Sequence, residues 1–212
     1  MVVRLIAVLL LALLALPVAA LADHDHEVPD DPMDIHPLMI GNAVPAVVLE
    51  DDSGQKVRLD HLVRGKPTVL IFYRGGWCPY CNMQLGDLAR VESRLLTLGY
   101  QIIAISMDSP QFLRESRARH HIDYTLLSDR DAHAAKAFGL AYRLKKPVYD
   151  QYRSQGVDIE LASGRTHHIL PVPAAFVVRP DGIISFAYVH PDYRIRVDGD
   201  VLLAAARAAL KD

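Results

Sequence analysis

Cysteine is almost absent from this chain of 212 residues: Cys78 and Cys81 are the only two. Two thiols cannot weave the disulfide framework of a small secreted domain, so the fold must rest on an ordinary apolar core. A charge excess of either sign is missing as well. Lys and Arg total 23 against 25 Asp and Glu, a formal net charge of -2. That balance leaves no basic footprint for nucleic acid and no strong steering field. No internal repeat is visible, and 51% apolar with 23% charged residues is ordinary globular usage rather than that of a disordered chain. The length accommodates one domain with tails or inserts. What remains to be explained is the single local cysteine pair.

Much of the apolar content is concentrated at the N-terminus. Residues 1–22 read MVVRLIAVLLLALLALPVAALA, in which Arg4 precedes an unbroken apolar run from Leu5 to Leu16, Pro17 interrupts it, and Ala20-Leu21-Ala22 places small residues just before Asp23. This is the layout of a secretory signal peptide cleaved after Ala22, and the run falls short of the roughly 20 residues a membrane span needs. No cysteine lies near the cleavage point, so lipid attachment there is excluded. The expected product is exported, periplasmic or extracellular, and touches a membrane only through this segment if it stays uncleaved. Outside the cytosol disulfides persist, so a lone cysteine pair is either a staple or a working redox couple. Asp23 to Pro37 (DHDHEVPDDPMDIHP) is acidic, rich in Pro and His and without apolar period. It reads as a flexible linker, and His24 and His26 have no spacing that would fix a metal geometry.

From Leu38 onward the pattern is that of an α/β domain. Short extended runs at 46–49 and 57–59 flank Asp51-Asp52-Ser53-Gly54, a hairpin signal. Thr68–Tyr73 and Gln101–Ser106 are continuous β-branched and apolar runs, as expected of strands buried on both faces. Between them Leu85, Leu88, Val91, Leu95 and Leu98 recur at helical spacing, and Gly99 ends the helix. A helix from about Ser109 to His121, a strand at 124–127 and a short helix at 131–138 follow. His120-His121 at that first helix's C-terminus suits a capping role. Residues 140–170 are polar with scattered aromatics and read as an irregular insertion, in which Tyr142, Tyr149 and Tyr152 fit loop packing or a substrate groove equally well. Strands at 174–178 and 183–189 join through Arg179-Pro180-Asp181-Gly182, and Val201–Leu210 closes the chain as an amphipathic helix. Strands alternating with helices, then a hairpin and a helix, predict an α/β sandwich.

The pair Cys78-Pro79-Tyr80-Cys81 sits where the buried 68–73 strand has ended and a helix begins. Free backbone N–H groups and the positive end of the helix dipole stabilise a thiolate there, so Cys78 is expected to be a nucleophile with a depressed pKa. Pro79 in the first turn costs no hydrogen bond. Two intervening residues let one turn bring the sulfurs together, which gives an attacking Cys78 and a resolving Cys81 without any cofactor. An inert local disulfide is the plainer alternative, but so small a loop gains little from closure. Zinc would need His167 or His168 to complete a half-built tetrahedral site, and adjacent residues on an extended segment point to opposite faces.

Trp77-Cys78-Pro79-Tyr80-Cys81 after a buried strand resembles a thioredoxin-fold active site, the CPYC tetrad being the glutaredoxin form. Gly41-Asn42-Ala43-Val44-Pro45, Thr68–Trp77, Ile103–Ser109, Leu126–Gly139 (LLSDRDAHAAKAFG) and the Phe-Val-Val-x-x-Asp-Gly run at 176–182 are similar to the alkyl hydroperoxide reductase/thiol-specific antioxidant (peroxiredoxin) group. The likeness spans roughly residues 38–190 and is nearest to the branch carrying Arg-Gly-x-Trp-Cys-Pro-Tyr-Cys. It implies a thioredoxin fold, a central mixed β-sheet flanked by helices, with an N-terminal β-hairpin extension and an insertion near 140–170. It also implies a cis-proline against the cysteines, for which Pro173 is the candidate and Pro171 the weaker one.

Two departures stand out. Where peroxiredoxins carry an activating Thr three residues before the attacking Cys, this chain has Gly75. Where they carry an Arg on the strand leading to Phe-Val-Val, it has Pro173. Arg74 is a candidate to supply positive charge and Trp77 to cover the thiolate, although an arginine beside a Gly-Gly turn ordinarily lies at the surface. The resulting expectation is an exported thiol oxidoreductase in which Cys78 attacks a hydroperoxide or a protein disulfide, Cys81 resolves the intermediate, and an external thiol reductant or oxidant protein resets the pair. The alternative is a copper-binding assembly factor on the same fold, with Cys78, Cys81 and His167 or His168 as soft ligands.

Overall fold

The structure, a computed structural model, describes residues 28–210, so the signal-peptide segment, His24 and His26 lie outside the described residues. The first described stretch is docked on the domain rather than free. Arg143 N–H donates to the Pro29 carbonyl (2.7 Å), Leu38 N–H to the Phe138 carbonyl (3.0 Å), and Val28 and Ile35 pack against buried side chains of the 140–170 region. The flexible-linker expectation therefore does not hold for residues 28–37.

A hairpin of β1 (Val48–Asp51) and β2 (Lys56–Arg58) leads into the short helix α1 (Leu59–Val63). The hairpin turn is held by Asp51, whose carboxylate accepts from the backbone N–H groups of Ser53 and Gln55. Then come β3 (Thr68–Phe72), α2 (Pro79–Thr97), β4 (Gln101–Ser106), α3 (Pro110–His120), β5 (Thr125–Ser128) and α4 (His133–Ala137). His120 is the last residue of α3 and His121 turns left-handed behind it (φ 51°). After β6 (Ala141–Arg143), α5 (Lys146–Ser154), α6 (Ile159–Ser163) and β7 (Ile169–Pro171), the chain returns through β8 (Ala174–Val178) and β9 (Ile184–Val189) to α7 (Gly199–Ala209). Asp198 caps α7 by accepting from Asp200 N–H at 2.7 Å. Among the described residues no helix is long and apolar enough to cross a membrane.

Seven strands form one mixed sheet in the order β2-β1-β5-β4-β3-β8-β9. β3 runs parallel to β4 and antiparallel to β8, with Phe72 paired to Ile105 on one side and to Ala174 on the other. Alternation along β3 explains its continuous apolar sequence, because successive side chains leave on opposite faces. Val69, Ile71 and Tyr73 pack with Leu85, Leu88 and Val91 of α2 and Leu202 and Leu203 of α7. Leu70 and Phe72 pack on the other face with Leu59 and Val63 of α1 and with Phe138. This is the expected thioredoxin fold with its N-terminal hairpin.

The 140–170 region departs from the sequence expectation. It is a structured subassembly with its own two-stranded sheet, β6 against β7, and two helices. Tyr142, Leu144, Tyr149, Ile159, Ile169 and Leu170 bury together against Met107, Ala132 and Ala135, with Trp77 packed at the margin. The insertion is thereby brought to the carboxyl ends of β3 and β4, where ligands of parallel α/β sheets ordinarily bind.

Candidate active site

The site is built on the chain reversal between β3 and α2. Tyr73 N–H still bonds across to the Ile105 carbonyl (3.0 Å), and the backbone then leaves the sheet through Arg74-Gly75-Gly76-Trp77. Cys78 is the N-cap of α2 in extended geometry, and Pro79 opens the helix without an N–H to satisfy. The Cys78 carbonyl accepts from Cys81 N–H (3.0 Å) and Asn82 N–H (3.1 Å), and Cys78 N–H donates to the Gly75 carbonyl (3.1 Å). Asp108, just beyond β4, accepts from Gly76 N–H at 2.7 Å through Oδ2, and Asn82 Nδ2 donates to the Gly76 carbonyl at 3.1 Å.

Both glycines are required by packing. A Cβ at Gly76 would overlap Ser116 Oγ; one at Gly75 would overlap Trp77 Nε1 and come within 2.7 Å of Asp108 Oδ1. The position that holds Thr in the resembling family is thus filled here by the Trp77 indole.

Both cysteines are free thiols and buried, Cys78 only 1% exposed and Cys81 fully covered. The hydrogen bond from Cys81 pulls the Cys78 pKa down, burial opposes it, and the charges of Arg74 and Arg196 add to the pull, leaving Cys78 at about 6. Burial first, and then the neighbouring Cys78, push Cys81 well above the ordinary thiol range. The two sulfurs are thereby set apart: the Cys78 thiol is the readily ionised one, and the Cys81 thiol the one that holds its proton.

Arg74 is the main surprise of the site. Expected at the surface, it is 1% exposed. Its guanidinium lies over three rings, 4.2 Å from the Tyr193 centroid, 5.0 Å from Trp77 and 5.2 Å from Tyr152, and Nη2 donates to Tyr152 Oη at 2.7 Å. Such an aromatic cage holds a cation out of bulk water while keeping its charge. Trp77 closes the cage, its ring 6.0 Å from that of Tyr152. Tyr152 comes from α5 in the insertion and so lines the site, whereas Tyr149 stacks on His168 (4.1 Å) away from it.

Pro173 is not the cis-proline that the resemblance implied. Among the described residues no peptide bond is cis, Pro171 and Pro173 included. Between β7 and β8 the chain runs on from one sheet into the next, with the Val172 N–H held by the Leu140 carbonyl (2.8 Å), so no reversal is needed there. Pro173 still borders the site, sharing a narrow cleft with Gln84, Ile195 and Arg196.

The histidines needed for zinc or copper are engaged elsewhere. His167 Nε2 meets the Arg130 carbonyl (2.7 Å), and its Nδ1 accepts from Ile169 N–H (2.9 Å). His168 Nε2 pairs with Glu160 at 2.7 Å. Among the described residues no group of three or more His, Cys, Asp or Glu side chains is arranged to hold a metal ion. The copper alternative thus loses its histidine ligands.

Sequence reasoning missed three contributors: Asp108, Tyr193 and Arg196. The loop between β9 and α7 folds over the cysteine turn, setting Tyr193 on Arg74 and 5.7 Å from the Tyr80 ring. Arg196 Nη2 donates to Cys81 Sγ at 3.4 Å. The run Tyr193-Arg194-Ile195-Arg196 carries no periodic signal, and its aromatic and basic content is the one feature that sets it apart. A groove of 290 Å³ opens beside the turn, walled by Tyr80, Met83, Gln84, Arg194 and Arg196.

Comparison with known proteins bears on the family and the fold. The chain is 34% identical over 106 residues to the peroxiredoxin bcp of Haemophilus influenzae, covering 50% of this chain and 68% of that one. It is 30% identical over 168 residues to the peroxiredoxin bcp of Coxiella burnetii, covering 79% of this chain and 97% of that one. In fold it is similar to the crystal structure of peroxidoxin BcpB from Mycobacterium tuberculosis, with a TM-score of 0.61 and 22% identity over 81% of this chain and 97% of that one. The sequence profile of the AhpC/TSA family matches residues 40–187, most of the folded domain, and the chain belongs to that family.

Proposed function

We propose that the protein is a thiol peroxidase working outside the cytosol, with Cys78 as the attacking and Cys81 as the resolving thiol. The observation that carries the reading is the position of Cys78: at the N-cap of α2, 1% exposed, on the turn that also holds the buried, caged Arg74, whose charge helps lower its pKa. Attack on a protein disulfide needs open access to the sulfur. A small hydroperoxide needs far less room, and the buried cation suits the negative charge that develops on its leaving oxygen. Arg74 thus supplies charge from the β3 side, where the family's Arg at the position of Pro173 is missing. The Trp77 indole occupies the place of its Thr.

In the first step Cys78 sulfur attacks the terminal peroxide oxygen and the O–O bond breaks. The leaving alkoxide or hydroxide takes up a proton, and Cys78 becomes a sulfenic acid. Cys81 sulfur then attacks Cys78, the S–O bond breaks and water leaves, giving the Cys78–Cys81 disulfide. A small external thiol, able to reach the covered Cys78 sulfur as a hydroperoxide does, returns the pair to the reduced state. The exported location rests on residues 1–22 alone. Hydroperoxide turnover with a thiol donor by the protein from Asp23 onward is the test. Consumption no faster than in Cys78→Ser removes the peroxidase reading.

A further inference from the structure

Arg196 adds only the smallest of the pulls on Cys78, yet it is fixed more tightly than that role or a surface position needs. All three of its guanidinium nitrogens have partners: Nε donates to the Tyr193 carbonyl at 2.7 Å, Nη1 to Gln84 Oε1 at 2.6 Å and Nη2 to Cys81 Sγ at 3.4 Å. Gln84 lies three residues after Cys81 on α2, so both project from one face of the helix. Two bonds thus hold the planar fork, and the third nitrogen is aimed at the resolving sulfur. Cys81 is fully covered, and its other neighbours include Leu85, Leu88, Ile71 and Tyr73. Among the hydrogen bonds of the described residues, the one from Arg196 is the cationic contact made to that sulfur.

We propose that Arg196 is a catalytic residue of the resolving step, stabilising the Cys81 thiolate as it attacks Cys78. Resting on the redox-pair reading above, the assignment gives Arg196 a role at the second sulfur: Arg74 and, more weakly, Arg196 pull on Cys78, and Arg196 makes the direct contact to Cys81. In the step, Cys81 gives up its proton and its sulfur bonds to the sulfenic sulfur of Cys78. The S–O bond breaks, and the departing hydroxide leaves with a proton as water. Cys81 is oxidised and the sulfenic sulfur is reduced to the disulfide level. On reduction the roles reverse. When an incoming thiolate attacks Cys78, Cys81 departs as a thiolate beside the same guanidinium, and a stabilised leaving thiolate departs faster.

The test has two arms. In a Cys78→Ser background, which removes the peroxide chemistry, Cys81 is titrated by the ultraviolet absorbance of its thiolate with Arg196 present and in Arg196→Met. An opposite charge at this range moves a thiol by about one unit or more, so the titration should rise by at least that amount in Arg196→Met and largely return in Arg196→Lys. In the second arm, with both cysteines present, oxidation is followed after a pulse of hydrogen peroxide. Each unit of rise cuts the thiolate fraction about tenfold and returns part of that as nucleophilicity, a net slowing of disulfide formation of about threefold. Sulfenic acid on Cys78 should accumulate accordingly, and excess peroxide should drive it to sulfinic acid. If Arg196→Met does not fold, Gln84→Leu, which frees the guanidinium from its anchor, should shift both readouts in the same direction by less. An unmoved Cys81 titration together with disulfide formation at the unsubstituted rate overturns the proposal. Failure of the peroxidase reading looks different: the first oxidation of Cys78 would be absent while the Cys81 titration still responded to Arg196.

Discussion

At Cys78 the contest is between burial, which raises a thiol pKa, and three attractions that lower it: the hydrogen bond from Cys81, the charge of Arg74 and the charge of Arg196. The attractions win, and their order makes a prediction. The alkylation rate of Cys78 should titrate with a midpoint near pH 6, move up by about one unit in Arg74→Met, and move further in Cys81→Ala, which removes the largest contribution. Gly75 carries the second prediction at this scale. Installing the family's threonine there drives a side chain into Trp77 Nε1, so Gly75→Thr should lose about 1–3 kcal/mol of stability in urea unfolding. Adding Trp77→Leu should recover part of that loss, since it removes the obstructing atom. The cysteine pair and Trp77 were legible in the sequence because they are contiguous. The burial of Arg74 was not, because its cage draws on Tyr152 of α5 and Tyr193 of the β9–α7 loop, which lie far from it in sequence.

Between elements, Asp108 ties the end of β4 to the turn before α2. Oδ2 accepts from Gly76 N–H and from Ser106 Oγ, while Oδ1 is buried with no partner among the described residues. Burial pushes its pKa up to about 7, against an ordinary 3.8. A carboxyl raised on folding binds its proton more tightly in the native state. Its contribution is therefore full below about pH 4 and lost as the pH climbs through 7. The unfolding free energy from urea titrations should decline across that window with a slope of up to about 1.4 kcal/mol per pH unit from this group; Asp108→Asn should remove that share and leave the parallel one of Asp129, raised to about 7 by its own burial. The same scale shows where sequence reading stopped. The helical spacing of Leu85, Leu88, Val91 and Leu95 runs through nearly three turns and is unambiguous. The 140–170 region is built from elements of three to nine residues whose apolar side chains are scattered among charges, too short for a period to show. Pro173 was misjudged for a related reason. The resemblance gave a position for a cis bond, whereas the local path from β7 to β8 is set by the insertion's own sheet.

For the whole molecule, the alternation of strands and helices carried the α/β class and the mixed sheet, because β3 and β4 are buried on both faces and their composition says so. The covering of the site was not legible, since it depends on the insertion and the β9–α7 loop meeting over one turn of chain. Protein recovered from its native compartment should begin at Asp23, which N-terminal sequencing checks directly. Because Trp77 is the chain's single tryptophan and touches the Arg74 cage, its fluorescence reports on the site alone. The most direct test of the central claim is therefore a single-turnover mixing experiment: reduced protein against one equivalent of hydrogen peroxide, followed by Trp77 fluorescence and intact mass. The account predicts two phases, sulfenic acid on Cys78 and then the Cys78–Cys81 disulfide, with Cys81→Ser halting after the first and Cys78→Ser showing neither. Peroxide left unconsumed, while a protein disulfide is reduced by the same pair, would contradict it.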